Sequence, residues 1–167
     1  KKPDIKVAAP IAKTGLVYTG KEILGVETSE GYTLTNNTAT NAGEYTALAT
    51  LQEGYVWEDG TYDEKIILWI ISKASGMNEV GYTVPENLES TQGDKLGDVL
   101  LPENWTWIDG SVELSELGKQ NFQAKYTPKD SDNYEEVIIG LTVKVNKKPD
   151  IKVAVPQAID GLVYNTE

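Results

Sequence analysis

The chain ends by repeating its own beginning. Residues 147–167 align with residues 1–21 at an offset of 146 positions, and 14 of the 21 aligned residues are identical. Chance does not produce identity at this level, so the sequence indicates a tandem repeat with a unit of about 146 residues. Residues 147–167 are then the first strand of the next copy. We expect Ile151, Val153 and Val155 either to pair with the edge of the preceding module or to be poorly ordered.

A weaker division falls in the middle of the unit. Residues 73–79 are small and polar, contain a glycine and follow a strongly apolar strand, which is typical of a linker. We therefore expect one module over 1–73 and a second over 74–146. Both halves carry a glycine followed by aromatic-x-Ala, once in Gly43–Ala47 and once in Gly118–Ala124.

The strand patterns predict an all-β fold. In Glu44–Leu51, the residues Tyr45, Ala47, Ala49 and Leu51 share one face, and we expect a bulky side chain, Trp57 or Trp69, to cover the small alanines. The segment 65–71 is apolar on both faces, which predicts a central strand. Many short strands separated by turn residues, with no helical period, favour two small antiparallel β-sandwich modules in tandem with little or no helix. Ala47 and Ala124 are predicted to be buried and intolerant of enlargement.

Composition excludes several classes of function. The chain has no Cys and no His, so thiol and imidazole nucleophiles and the usual zinc sites are absent. Its net charge is −11, with 26 acidic residues against 15 lysines, which disfavours nucleic acid and anionic lipid as partners. No apolar run approaches the roughly 20 residues that a membrane span needs, so we expect no membrane insertion in this sequence. Its first residues do not read as a signal peptide.

The motifs resemble a known family. The first half, with Gly15-Leu16-Val17-Tyr18-Thr19-Gly20, Asn41-Ala42-Gly43-Glu44-Tyr45-Thr46-Ala47 and Tyr55-Val56-Trp57-Glu58-Asp59-Gly60, resembles the bacterial Ig-like repeats of Gram-positive cell-surface proteins. The second half is similar to a companion repeat of those proteins through the ranges 101–107, 124–130 and 133–134. The resemblance implies two Ig-like modules in an extracellular protein of the cell surface or cell wall. It also suggests that Tyr45 ties down a corner through its hydroxyl, whereas Phe122 at the matching position cannot.

Candidate sites remain open at this level. Trp105 and Trp107 alternate on one strand face and could stack on sugar rings if that face is exposed, as could Trp57; the other reading makes these indoles core residues. Asp130–Asn133 carries oxygen ligands suited to calcium but lacks the spacing of an EF-hand, which favours a solvated turn. A Lys–Asn crosslink could involve Lys6, or Lys144 with Asn146. No pair of carboxylates stands apart as a hydrolytic pair.

These observations predict a non-catalytic protein without metal or cofactor. The first hypothesis is a structural stalk or spacer repeat, with an adhesive role also open, whose partners are the neighbouring repeats of the same chain. The alternative is a carbohydrate-binding module that uses exposed tryptophans, with a host or dietary glycan, or a surface protein, as its partner.

Overall fold

The fold is known from a computed structural model that describes residues 4–157 and 160–161. Within this part of the chain the regular structure is almost entirely β-strand, which confirms the predicted all-β class. The helical content consists of two short 3-10 turns, Gly76–Asn78 and Leu96–Asp98. Among the described residues, no helix is both long enough and apolar enough to span a bilayer.

The first half of the chain contains eight strands, two of them long. In chain order these strands are β1 (Ile5–Val7), β2 (Leu16–Val17), β3 (Ile23–Leu24), β4 (Tyr32–Thr35), β5 (Thr38–Ala39), β6 (Gly43–Leu51), β7 (Tyr55–Trp57) and β8 (Lys65–Ser72). A four-stranded sheet has the order β2-β8-β6-β4, and two-stranded sheets form from β1 with β7 and from β3 with β5.

The second half repeats the plan with fewer strands. They are β9 (Ala74–Ser75), β10 (Leu88–Thr91), β11 (Trp105–Trp107), β12 (Gly118–Tyr126), β13 (Tyr134–Glu135) and β14 (Val137–Asn146). The main sheet has the order β10-β14-β12-β11, and β9 pairs with β13. Residues 137, 139, 141, 143 and 145 of β14 are apolar and alternate along the sequence, which predicts one buried face, and these residues lie towards the core.

Strand direction differs between the centre and the edges of the sheets. The long central pairs, β6 with β8 and β12 with β14, are antiparallel as expected. Four peripheral pairs are parallel: β1 with β7, β2 with β8, β9 with β13, and β10 with β14. The partners in each parallel pair are separated by a long stretch of chain rather than by a hairpin, and only such crossovers allow parallel pairing. Both main sheets are therefore mixed.

Strand β6 follows the sequence prediction closely. Gly43, with a φ of +156°, begins the strand. Tyr45 lies two residues later, and its hydroxyl donates a 2.7 Å hydrogen bond to the carbonyl oxygen of Asn41. The tyrosine side chain thus closes the turn that precedes its own strand. Phe122 takes the matching position in β12 and packs edge-on against Trp107 instead.

Small alanines make room for tryptophan in the first core. Ala47 and Ala49 are completely buried, and they share a cluster with Trp57 and Trp69. The Trp69 indole stacks on the Tyr45 ring at a centroid distance of 4.6 Å, as their register across β6 and β8 requires. The predicted filling of this space by tryptophan is confirmed. Ala124 is also completely buried, and its intolerance of enlargement stays a prediction.

Strand β8 is central, as predicted, but only one of its apolar faces is buried. It lies between β2 and β6. Ile67, Trp69 and Ile71 point into the core, whereas the intervening apolar side chains are 53–72% exposed; these are Ile66, Leu68 and Ile70. An apolar residue pattern on both faces therefore does not mean burial on both faces here.

The start of the next repeat copy forms no strand in its described residues. Ile151, Val153 and Val155 are 83–84% exposed, and residues 147–157 have no β partner in the described chain. The expected pairing with the edge of the preceding module is therefore not found. Positions 158–159 and 162–167 of the predicted strand segment lie outside the described residues.

Candidate functional site

The two halves of the repeat unit meet at a short, ordered junction. Strand β8 ends at Ser72, a single residue follows, and Ala74 already begins β9. Ala74 is 5% exposed, and its amide donates a 2.9 Å hydrogen bond to the carbonyl oxygen of Asn133. The segment 73–79 reads as a linker in the sequence, but the structure places it in a strand and a 3-10 turn that pack on the second half.

Asn133 is the centre of this junction. It is 7% exposed, and its Oδ1 accepts a 2.8 Å hydrogen bond from the backbone amide of Ala42 in the first half. Its Nδ2 donates to both carboxylate oxygens of Asp130, at 3.2 and 2.9 Å, and lies 3.5 Å from Oδ1 of Asn41. Every polar group of this buried side chain is thus satisfied, and one amide connects turns from both halves.

Aromatic packing supports the polar contacts. The rings of Tyr18 and Tyr134 meet edge to face, with centroids 5.3 Å apart and planes at 86°. The amide of Tyr18 donates a 2.9 Å hydrogen bond to the carbonyl oxygen of Ser72, which holds the ring beside the junction. Lys73 Nζ also donates to the carbonyl oxygen of Ser131 at 2.6 Å. Such edge-on aromatic pairs add about 0.5–1.5 kcal/mol beyond the area they bury.

Glycine is required by close packing at one junction position. Gly76 is buried at the start of the first 3-10 turn. A Cβ placed there would lie 2.5 Å from the carbonyl oxygen of Glu135 and 2.9 Å from Cγ of Pro128. The glycine lets the chain cross close over β13, so the linker-like composition here reflects tight contact.

Glu79 fastens the end of the junction segment to the second half. Its Oε2 accepts a 2.5 Å hydrogen bond from the Tyr126 hydroxyl and a 3.2 Å bond from the Lys129 amide, and its Oε1 accepts a 2.9 Å bond from the Asp130 amide. Burial acts to raise the pKa of Glu79, but these hydrogen bonds outweigh it and hold the pKa below its ordinary value. The same contact raises the pKa of Tyr126 to about 12.

The Glu79 contacts predict a pH-dependent stability. Because the folded pKa is lowered, the carboxylate contributes stability that is present above its ordinary pKa of 4.5 and lost as pH falls through the folded value. In the wild type, the free energy of unfolding should decrease as pH falls through this acidic range. We expect this decrease to be smaller in Glu79→Gln, as measured by urea unfolding at a series of pH values. Glu113→Gln, an exposed change outside the junction, serves as the control. Equal slopes for wild type and Glu79→Gln would contradict the assignment.

The tryptophans proposed as a sugar platform lie in or against the cores. Trp57 is 1% exposed and Trp105 is 6% exposed, while Trp107 is half-buried beside Phe122. Each indole N–H donates to a backbone carbonyl of its own half; the acceptors are Asp63 for Trp57, Thr83 for Trp105 and Val99 for Trp107. A stacking platform needs an open shared indole face, and burial removes that face at Trp57 and Trp105. Trp57 and Trp105 are therefore core residues, whereas a ligand-binding role for the half-buried Trp107 stays a prediction.

The loop considered for calcium and the residues considered for a crosslink have other roles. The Asp130 carboxylate accepts from Asn133, and no group of three or more metal-binding side chains occurs among the described residues. Lys144 Nζ and Asn146 Nδ2 both donate to Glu89, at 3.2 Å each. Lys144 and Glu89 are about half exposed, and the hydrogen bonds from Lys144 and Asn146 lower the Glu89 pKa. Lys144 and Glu89 therefore form a surface ion pair.

The sequence named the junction residues without identifying their role. Asp130–Asn133 drew attention for its oxygen ligands, and Asn41–Gly43 as part of the motif that leads into Tyr45. The structure adds that Asn41 and Ala42 also contact the other half. No local sequence signal distinguishes Asn133 from a solvated turn residue.

Comparison with known proteins gives no family assignment. No protein-family model matches the chain, and no curated protein matches it. The tandem repeat and the junction are therefore the features from which a function can be inferred.

Proposed function

We propose that this chain is a segment of a tandem-repeat stalk in a bacterial protein displayed outside the cell. The 146-residue repeat supports an extended array, and the resemblance to Ig-like repeats of Gram-positive surface proteins supports the location. In such a stalk the repeats hold another part of the protein at a distance from the surface. The observation that carries the proposal is the Asn133 junction, because a spacer must resist bending between its modules.

The junction contacts favour stiffness for a physical reason. Domains joined by a flexible linker move independently unless their interface is well packed. Here one residue, Lys73, separates the last strand of the first half from a strand that pairs with the second. A buried amide and an edge-on tyrosine pair then connect the two halves away from the covalent link. Bending at Lys73 would have to break these contacts.

The strand directions also suit a chain under tension. In the second half the early strand β10 and the last strand β14 are parallel over four registered pairs, from Leu88↔Val143 to Thr91↔Asn146. In the first half, β2 and β8 are parallel over two pairs. Pulling an early strand from its N-terminal end and a last strand from its C-terminal end loads these hydrogen bonds together in shear, instead of opening them one at a time.

A distance measurement tests the spacer role. The chain has no cysteine, so spin labels can be attached at Leu68→Cys in the first half and Ile138→Cys in the second, both on exposed strand positions. We expect double electron–electron resonance to give one narrow distance distribution. The matched control pairs Leu68→Cys with Val155→Cys, beyond the last strand, and should give a broader distribution. If the first pair is as broad as the control, the two halves move freely and the stalk proposal fails.

A further inference from the structure

One aromatic side chain of the described chain is open to solvent. Tyr62 lies in the loop between β7 and β8 and is 63% exposed. The other aromatic residues that the structure describes are buried or half-buried. A tyrosine ring combines apolar faces with a polar end, which suits contact with a ligand that is itself partly apolar and partly polar.

The Tyr62 ring is held in place from two directions. Its hydroxyl donates a 2.8 Å hydrogen bond to Asp4 Oδ2. The loop that carries it is organised by the Asp59 carboxylate, which accepts from the Thr61 amide at 2.9 Å, from the Thr61 hydroxyl at 2.6 Å and from Lys65 Nζ at 2.7 Å. A side chain that is already fixed loses little freedom on binding, so more of its contact energy becomes affinity.

Tyr62 borders a groove that contains a second fixed ring. The groove has a volume of about 530 Å³ and is lined by Asp4, residues 51–55 and Tyr62. The Tyr55 hydroxyl donates a 2.9 Å hydrogen bond to Glu30 Oε1. A Cβ on Gly31 would lie 2.6 Å from Cδ1 of Tyr55, so this ring packs directly on the glycine backbone. The volume is within the range of about 300–1,000 Å³ that small-ligand sites have.

The polar groups of the groove are mainly hydrogen-bond acceptors. Asp4 accepts from Tyr62 through Oδ2, and its Oδ1 makes no hydrogen bond within the described chain. Gln52 and Glu53 are exposed, and their side chains also make no hydrogen bond there. Hydroxyl groups of a ligand would form charge-assisted hydrogen bonds with these carboxylates. A pyranose ring has such hydroxyls at its edge and apolar C–H groups on its faces, so it matches both the carboxylates and the tyrosine.

Charge narrows the class of ligand. Two carboxylates and no lysine of the described chain line the groove, and the net charge of the protein is −11. Uronic acids, sulfates and phosphates are therefore repelled. A basic peptide is the competing ligand, but Asp4 and Glu30 already accept tyrosine hydroxyls. The exposed ring of Tyr62 is then the larger free surface, which favours a neutral sugar.

We propose that this groove binds a neutral saccharide. One sugar ring stacks on Tyr62, its hydroxyls donate to Asp4 and Glu53, and the Gln52 amide bonds a further hydroxyl. No tryptophan lines the groove, so the site differs from the platform that the sequence suggested. It is also independent of the stalk function, because a repeat that binds no ligand would still be a spacer.

Saturation-transfer difference NMR tests the proposal, because it detects weakly bound ligands. The probes are neutral oligosaccharides of glucose, galactose, mannose, xylose and N-acetylglucosamine, with oligogalacturonate and trilysine as charged comparisons. We expect at least one neutral probe to bind through its ring C–H protons and to shift the NMR signal of the Gln52 side-chain amide. Presenting the bound sugar on a glycopeptide as well as free distinguishes a protein-linked glycan from a polysaccharide as the source.

Variants assign the binding to the groove. Tyr62→Ala should weaken it roughly tenfold, as truncation of a central aromatic contact commonly does. Glu53→Ala, at an exposed position without hydrogen bonds, should weaken it about threefold without any effect on folding. Leu68→Ala is the matched control, because it removes a side chain that is 72% exposed in the same half but outside the groove.

Three results would overturn the proposal. The first is that no neutral probe binds, and the second is that Tyr62→Ala and Glu53→Ala both bind as tightly as Leu68→Ala. The third is that trilysine binds and no neutral sugar does, which would make the groove a site for cations. None of these results depends on the width of the distance distribution that tests the stalk, so the two proposals fail separately.

Discussion

Replacing Gly25 with alanine is expected to destabilise the first half by about 3 kcal/mol, the upper end of the usual range for an over-packed core. Gly25 is buried, and a Cβ there would lie 2.0–2.5 Å from three carbon atoms of the Trp69 indole. The indole has no room to retreat, since it is 2% exposed, stacks on Tyr45 and donates a 3.0 Å hydrogen bond to the carbonyl oxygen of Asn36. Denaturant unfolding monitored by tryptophan fluorescence measures the loss.

Gly140→Ala provides a matched control for this prediction. Its Cβ would also lie 2.0 Å from the nearest atom, which is Oδ1 of Asn121. That atom is the end of an exposed side chain that can rotate away, and Gly140 itself is exposed. We therefore expect a change within about 0.5 kcal/mol, as for other surface substitutions. Equal losses for Gly25→Ala and Gly140→Ala would show that the rigidity of the Trp69 environment does not set the cost.

The parts of the fold that local chemistry controls could be predicted from the sequence. Alternation along β6 and β14 identified the buried faces, because side chains in a strand point to opposite sides in turn. The pair of small alanines in β6 predicted a bulky neighbour, which the structure identifies as tryptophan. The resemblance to Ig-like repeats suggested that Tyr45 ties down a corner, and its hydroxyl does donate to the carbonyl oxygen of Asn41. Each inference needed only residues that are close together in the chain.

The features that the sequence did not predict depend on distant residues. The parallel pairing of β10 with β14 joins residues 55 apart, from Leu88 to Val143, and no local pattern encodes such a partner. The exposed apolar face of β8 is a similar case. Ile66, Leu68 and Ile70 have the hydrophobicity of core residues, and only the absence of a layer over them in the described chain leaves them exposed.

The candidate site was hidden from the sequence for a related reason. Asn133 contacts Ala42 across 91 positions of the chain, and an asparagine in a polar loop is most often a solvated turn residue. What distinguishes it is burial, which follows from the meeting of two halves. Trp57 and Trp105 show the converse, because aromatic residues that suggested a glycan platform are buried in the cores of the two halves. At the level of single residues, packing and binding use the same side chains.

Replacing Asn133 with aspartate is expected to loosen the junction while preserving side-chain shape. The new carboxylate can still accept from the Ala42 amide, but it loses both donors to Asp130 and places a second negative charge beside that carboxylate. Removing one partner from a buried hydrogen-bonded group costs about 1–3 kcal/mol, and the like charge adds to this. We expect a lower free energy of unfolding and a broader distance distribution between labels at Leu68→Cys and Ile138→Cys.

The dependence of this defect on pH separates charge repulsion from the loss of the amide donors. Burial and the Asp130 carboxylate both raise the pKa of the introduced carboxyl, so the variant differs most from wild type above that pKa. As pH falls through it, the carboxyl gains a proton, can donate to Asp130 again, and the difference from wild type narrows. Asp132→Asn, which changes the charge of an exposed neighbour in the same loop, should leave both the stability and the distance distribution close to wild type. A deficit for Asn133→Asp that stays constant with pH would instead mean that the lost amide donors, and not charge repulsion, set the cost.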